Sequence, residues 1–240
     1  MRLLRRFGTG LAVAVAGLAL ASVLAIGVLR WLDPPTSAFM LRHWVAATWA
    51  GEPRPRLYHE WVPAAAIPPA MALAAVAAED QRFPDHAGFD LVQLRKAWAD
   101  YRAGKRLRGA STISQQTAKN LFLWPGQDLP RKVLEAWLTL WLELLWPKER
   151  ILEVYLNIAQ FGPETFGVGA ASWRFFDRPA AALTPAQAAR LAAVLPNPVH
   201  YRVEAPSARV ERRTHWISRQ MRQLGGSAYL RGIWPAAAGR

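Results

Sequence analysis

Glu79 and Asp80 close an apolar run that starts at Met71, so an acidic pair stands in the last turn of a predicted helix. Negative charge there opposes the helix dipole at a cost of roughly 0.3–1 kcal/mol, and the pair needs another reason to exist. Two readings are open. A carboxylate at the edge of an apolar helix has its pKa raised by desolvation, as a general base requires. The plainer alternative is a solvated helix end paired with Arg82. The chain continues through a turn, Gln81 to Asp90, crowded with polar and aromatic groups that include Phe83 and His86.

A second group opens another helix with Arg108, Ser111, Thr112, Ile113, Ser114, Gln115 and Gln116. Thr112 and Gln115 have capping-box spacing, so part of this motif is helix chemistry. Gln115 and Lys119 are four apart, as are Gln116 and Asn120, which makes two adjacent polar rows. Ile113, Thr117, Leu121 and Phe122 take the other side. Amides and a lysine on one face suit sugar hydroxyls and phosphate oxygens, and a helix N-terminus beside Arg108 is a natural anion site.

The third group is a stripe. Between Arg131 and Trp146 the chain is apolar nearly all round, and Arg131, Glu135, Thr139 and Glu143 interrupt it at intervals of four. An exposed Arg131–Glu135 pair would contribute only about 0.3–0.5 kcal/mol. A helix this apolar is expected to be central, with its stripe lining a cleft or paired internally. Glu143 divides the apolar stretch, which is also too short to span a bilayer. The five histidines are scattered without metal-ligand spacing, no P-loop or GxSxG occurs, and Phe161, Gly162, Gly167 and Gly169 read as turns.

These groups need helices to hold them, and the periodicity supplies helices almost alone. They are expected over about 71–80, 91–103, 112–123, 129–146, 148–157 and 185–194, with a last basic amphipathic helix over about 205–224 before Gly225-Gly226. Met40, Leu41, Trp44 and Trp49 mark a segment that either lies at a membrane interface or forms an ordinary core helix. The fold expected is mostly α. In front of it, Phe7 to Leu29 carries no charge and is long enough to span a bilayer. Arg2, Arg5 and Arg6 favour a cytoplasmic N-terminus. Ala19-Leu20-Ala21 resembles a signal-peptide cleavage site, but the apolar run continues from Val23 to Leu29, so an uncleaved anchor over residues 1–33 and an extracytoplasmic domain over 34–240 are expected. The formal net charge of +13 favours anionic partners, and this topology turns the choice from nucleic acid toward lipid or a phosphorylated substrate. Without cysteine, disulfides and thiolate metal sites are excluded.

The blocks Glu79-Asp80-x-x-Phe83-x-x-His86-x-Gly88-Phe89-Asp90, Gly109 to Gln116 with Lys119-Asn120, and Arg131-Lys132-x-x-Glu135 resemble the peptidoglycan glycosyltransferases of family 51. So do Ile151-Leu152-Glu153-x-Tyr155-Leu156-Asn157, Phe161-Gly162, Gly167-Val168 and Leu195-Pro196-Asn197-Pro198. The chain looks like the monofunctional type. The resemblance implies a lysozyme-like helical lobe with a smaller membrane-facing lobe, in a single-pass protein of the bacterial inner membrane with its domain in the periplasm. It implies lipid II and the growing glycan strand as partners, with membrane lipid and other cell-wall synthases or division proteins beside them. Glu79 would be the general base on the acceptor 4-hydroxyl, and Glu135 would help place the donor pyrophosphate. Asp80, Phe83, His86, Ser111, Thr112, Gln115, Gln116, Lys119, Asn120, Arg131 and Lys132 would bind substrate. No tightly bound cofactor is implied, with room for magnesium or manganese at the pyrophosphate. Two departures stand out: Ser114 replaces the usual Thr, and Trp124 to Pro130 lacks a basic residue common in the family.

Overall fold

The computed structural model describes residues 2–52, 55–104, 111–126 and 128–235. Helix α1 (Arg2–Leu29) contains Ala12–Leu29, a stretch long and apolar enough to cross a membrane. Helix α2 (Ala38–Trp49) starts at Ser37, whose hydroxyl accepts from Met40 N. A short strand β1 (Tyr58–His59) leads to α3 (Pro69–Glu79), begun by proline where the missing N–H costs nothing. Next come α4 (Leu91–Arg102), α5 (Ile113–Phe122), α6 (Leu129–Leu145) and α7 (Lys148–Ile158). Strands β2 (Gln160–Gly162) and β3 (Thr165–Phe166) precede α8 (Val168–Phe176), α9 (Pro185–Val194) and α10 (Ala208–Gln223).

Helix α3 is the axis of the domain. Met71 to Ala77 are all buried, and the helix packs on α9, α10 and α7. Its alanines let those neighbours approach closely, and an all-round apolar helix can sit only inside. A second group joins α5 to α6 and α7, with α2 on α5 and α1 on α6. A cleft lies where α3 ends and α5 begins.

Two sequence expectations change. The residues read as turns around Phe161 and Gly167 build a three-stranded sheet of order β1–β3–β2, parallel between β1 and β3 and antiparallel between β3 and β2. Its glycines mark close backbone approach. A Cβ on Gly167, at φ +80°, would stand 2.6 Å from Asn157 O, and one on Gly169 would stand 2.6 Å from Glu60 O. The segment after β1 is held to α7 by Asn157, whose side chain accepts from Val62 N at 2.8 Å and donates to Val62 O at 2.8 Å, as a neighbouring strand would. Glu153 accepts from Ala64 N. These two residues of the Ile151–Asn157 block fix the segment that leads into α3.

The other change concerns α6, which is not central. Its polar stripe is the buried side, while Val133, Leu134, Trp137, Leu140 and Leu144 are exposed. Part of the outer face meets α1: Trp146 Nε1 donates to Ile26 O at 2.7 Å, and Trp137 Nε1 to Ser22 Oγ at 3.1 Å. Leu91, Leu94, Trp98 and Tyr101 of α4 are likewise exposed, and α4 has no buried residue. So much exposed apolar surface marks a contact with lipid or protein rather than water.

Arg150 secures the end of α1. Its guanidinium donates to Leu29 O and Leu32 O, pairs with Asp33 and Glu153, and faces the rings of Trp61 and Trp146. Arg30 Nη1 donates to Leu145 O from the other direction.

Candidate active site

Helix α3 ends with its two acids turned to different tasks. Asp80 is buried and accepts from Ile113 N at 2.9 Å and from His86 Nε2 at 2.9 Å. It therefore sits at the N-terminus of α5, where the dipole favours a carboxylate, which removes the apparent conflict with α3's own dipole. Thr112 completes this end: its hydroxyl donates to Gly88 O at 2.6 Å, and it forms the capping box with Gln115. Gln115 is buried and committed to that cap. Phe83 is fully buried beneath the turn, with Lys148 Nζ 4.5 Å above its ring. The carboxylate at Glu143 accepts from Ser114 and from Lys148, so Ser114 serves the junction of α5 and α6.

Glu79 faces the other way, and the Arg82 pairing does not occur. Arg82 approaches Asp90 instead, at 3.8 Å. Glu79 Oε1 accepts from Arg213 Nη2 of α10 at 2.9 Å, and its Oε2 from Gln116 Nε2 at 3.1 Å. Behind Gln116, the buried Tyr155 hydroxyl donates to Gln116 Oε1 at 3.4 Å. Burial raises the Glu79 pKa, opposed by the charges of Arg213 and Lys119 and by the bonds from Gln116 and Arg213. The result is a carboxylate more basic than an ordinary one, held by donors that favour its ionised form. A cleft of about 390 Å³ opens beside it, bordered by Asp80, Gln93, Lys96, Ser111, Thr112 and Trp216.

On the α6 side, Glu135 is buried with Arg131, whose Nη1 donates to it at 2.5 Å, and Lys132 donates to its other oxygen. Thr139 donates back to Glu135 O. The stripe is thus internally paired. Arg131 Nε and Asn120 Oδ1 are buried without a partner among the described residues. Lys119 links the halves: burial lowers its pKa, Glu135 and Glu79 raise it, and Arg131 and Lys132 lower it. Glu79 and the Arg131–Lys132–Glu135 cluster thus both act on the charge of one lysine. Such a pairing can deprotonate a hydroxyl at one end and receive an anionic leaving group at the other.

Arg213 and Tyr155 were not among the residues expected at the site. Arg213 lies on the basic C-terminal helix, where nothing in the local pattern separates it from its arginine neighbours. Arg108 falls outside the described residues.

A model of the transglycosylase family matches residues 48–222. A biosynthetic peptidoglycan transglycosylase of Xanthomonas campestris pv. campestris (strain B100) is 53% identical over 213 residues, covering 88% of this chain and 86% of the relative. One from Cronobacter sakazakii (strain ATCC BAA-894) is 50% identical over 227 residues, covering 95% and 93%. Another from Xylella fastidiosa (strain M23) is 50% identical over 212 residues, covering 88% and 87%.

Proposed function

Because this chain belongs to the transglycosylase family, we propose that it polymerises lipid II into β-1,4-linked glycan strands and releases undecaprenyl diphosphate. Peptidoglycan transglycosylation makes it a glycosyltransferase of cell-wall synthesis. The observation that carries the finer reading is Glu79 in its cleft, raised in basicity by burial and fixed by Arg213 and Gln116.

In this reading Glu79 takes the proton from the acceptor's 4-hydroxyl as that oxygen attacks the donor's anomeric carbon. The bond to the diphosphate breaks on the opposite face, so the α-linked donor yields a β product. Diphosphate is a good leaving group and needs positive charge more than a proton. Lys119, Arg131 and Lys132 supply it. Glu135 keeps Arg131 and Lys132 in place between turnovers, since both of its oxygens accept from them. A glycosidase would instead need a carboxylic acid beside its leaving group.

The residues do not fit a resident magnesium or manganese ion. The Glu135 oxygens are already taken by cations, and no cluster of three His, Asp or Glu side chains suited to a metal occurs among the described residues. The exposed apolar side chains of α4 and α6 suit a lobe resting on the bilayer, with α1 as a single-pass anchor and the domain on the periplasmic side. Lipid II then reaches the cleft without leaving the membrane.

The test gives labelled lipid II to the full-length protein and to Glu79→Gln. Long strands from the first and none from the second are expected. Equal activity removes Glu79 from its role, and shortening of preformed glycan would make the protein a hydrolase.

A further inference from the structure

Helix α10 carries more positive charge than Glu79 engages. Arg213 turns inward, but Arg209 and Arg212 lie on the exposed side of the helix. With Pro196, Tyr201 and Trp216, these three arginines line a groove of about 540 Å³ that has no carboxylate among its lining residues. Arg209 sits over the Tyr201 ring at 5.7 Å and Arg213 over the Trp216 ring at 5.9 Å. An aromatic face under a guanidinium restrains it, and a restrained guanidinium loses less freedom on binding a carboxylate. The groove also adjoins the Glu79 cleft. Trp216 borders both, and Arg213 lines the groove while holding Glu79 in the cleft.

Arg213 has Glu79 as its counter-charge, but Arg209 and Arg212 share a groove with no carboxylate, where they repel one another and an anionic ligand relieves that repulsion. The anion that passes this point in each cycle is the substrate itself. Peptidoglycan is a glycan that bears peptides, and every peptide ends in a carboxylate. Membrane headgroups are also anionic, but α10 packs on α3 and α9, whereas the anchor α1 packs on α6. The shared border at Trp216, next to the Glu79 cleft, favours the glycan. We propose that the groove between α10 and the Pro196–Tyr201 turn is a subsite for the carboxylate-bearing peptide substituents of the strand processed at Glu79. This rests on the polymerase reading above.

The experiment uses the full-length protein and an Arg209→Glu/Arg212→Glu variant. Each receives lipid II with free peptide carboxylates and a matched substrate with those groups amidated. On the first substrate the KM of the variant rises about tenfold with kcat little changed, as loss of partly exposed charge pairing predicts. On the amidated substrate the two proteins behave alike. Calorimetry with a soluble disaccharide-peptide, lacking lipid and diphosphate, shows binding to the wild type that the variant loses. Equal KM changes on both substrates, or none on either, overturn the proposal. So does a variant that loses only its binding to phosphatidylglycerol vesicles, which would make the groove a membrane contact. Should the wild type polymerise neither substrate, the polymerase reading falls and calorimetry alone decides the groove: binding lost in the variant supports it, and no binding overturns it.

Discussion

Arg213 and Glu79 meet at 2.9 Å although 134 residues separate them in the chain. The contact ties the last long helix to the tip of the central one and sets the charge state of the residue proposed as base. Burial pushes the Glu79 pKa up, and the guanidinium and the Gln116 amide work against that by favouring its ionised form.

The pH dependence of the rate follows from that balance. The proposed reaction needs Glu79 as carboxylate, so kcat/KM is expected to fall as pH drops through a pKa raised above the ordinary carboxylate value. Arg213→Gln removes a charge that lowers this pKa, and the acid limb moves to higher pH. Arg213→Lys keeps the charge and brings the limb most of the way back. Initial rates of strand formation across pH for the three proteins measure this. A limb that stays in place in Arg213→Gln would separate Arg213 from the base.

Glu79→Gln should cost activity about 10²–10⁴-fold, the usual share of a general base, without loss of stability. The sign follows from linkage. A carboxylate whose folded-state pKa is raised stabilises the fold below its unfolded pKa, and that contribution is lost as pH rises through the folded value. Above its folded pKa the ionised Glu79 is therefore a burden that glutamine removes. Thermal unfolding of detergent-solubilised protein should give a Tm equal to or above that of the wild type.

Replacing Glu135 by Ala strands Arg131, which is buried beside it. Leaving a buried charge without its partner destabilises by about 3–5 kcal/mol. Glu135→Gln, which keeps an oxygen for the guanidinium, should cost less than half as much. Chemical denaturation of both variants checks the order.

Gly88→Ala tests the turn below the base. Gly88 has φ +83°, and a Cβ there would stand 2.8 Å from Thr139 Cγ2 and 2.9 Å from Glu143 Cγ. The strain costs about 1–3 kcal/mol and displaces the carbonyl that Thr112 uses. Lower stability together with lower activity is expected, whereas Gly104→Ala, also at positive φ but with open space around it, should leave activity unchanged.

How much of this was legible in the sequence depends on distance along the chain. Helices α3 to α7, α9 and α10 follow from apolar spacing and caps, which are local signals. The Thr112–Gln115 cap and the Arg131–Glu135 pair are local too, and the structure contains both. The Arg213–Glu79 contact is not, and no window of sequence tells which arginine of α10 turns inward. Nor does apolar content reveal its own direction. Helix α6 looked central because most of its side chains are apolar, yet the stripe of four polar residues is its inner side. Periodicity locates a stripe and leaves open whether water, protein or lipid lies opposite. The glycines at 167 and 169 show the same limit, since turn and close contact use the same residue.

Arg150 has a mechanical consequence. A guanidinium that grips two carbonyls at the end of α1 and rests between two indoles leaves no slack between the anchor and the domain. In the proposed reading, with α1 as membrane anchor, the helix acts as an axle rather than a leash. Its inclination in the bilayer is then handed on to the mouth of the cleft, and with it the height at which a lipid-tethered sugar would meet Glu79.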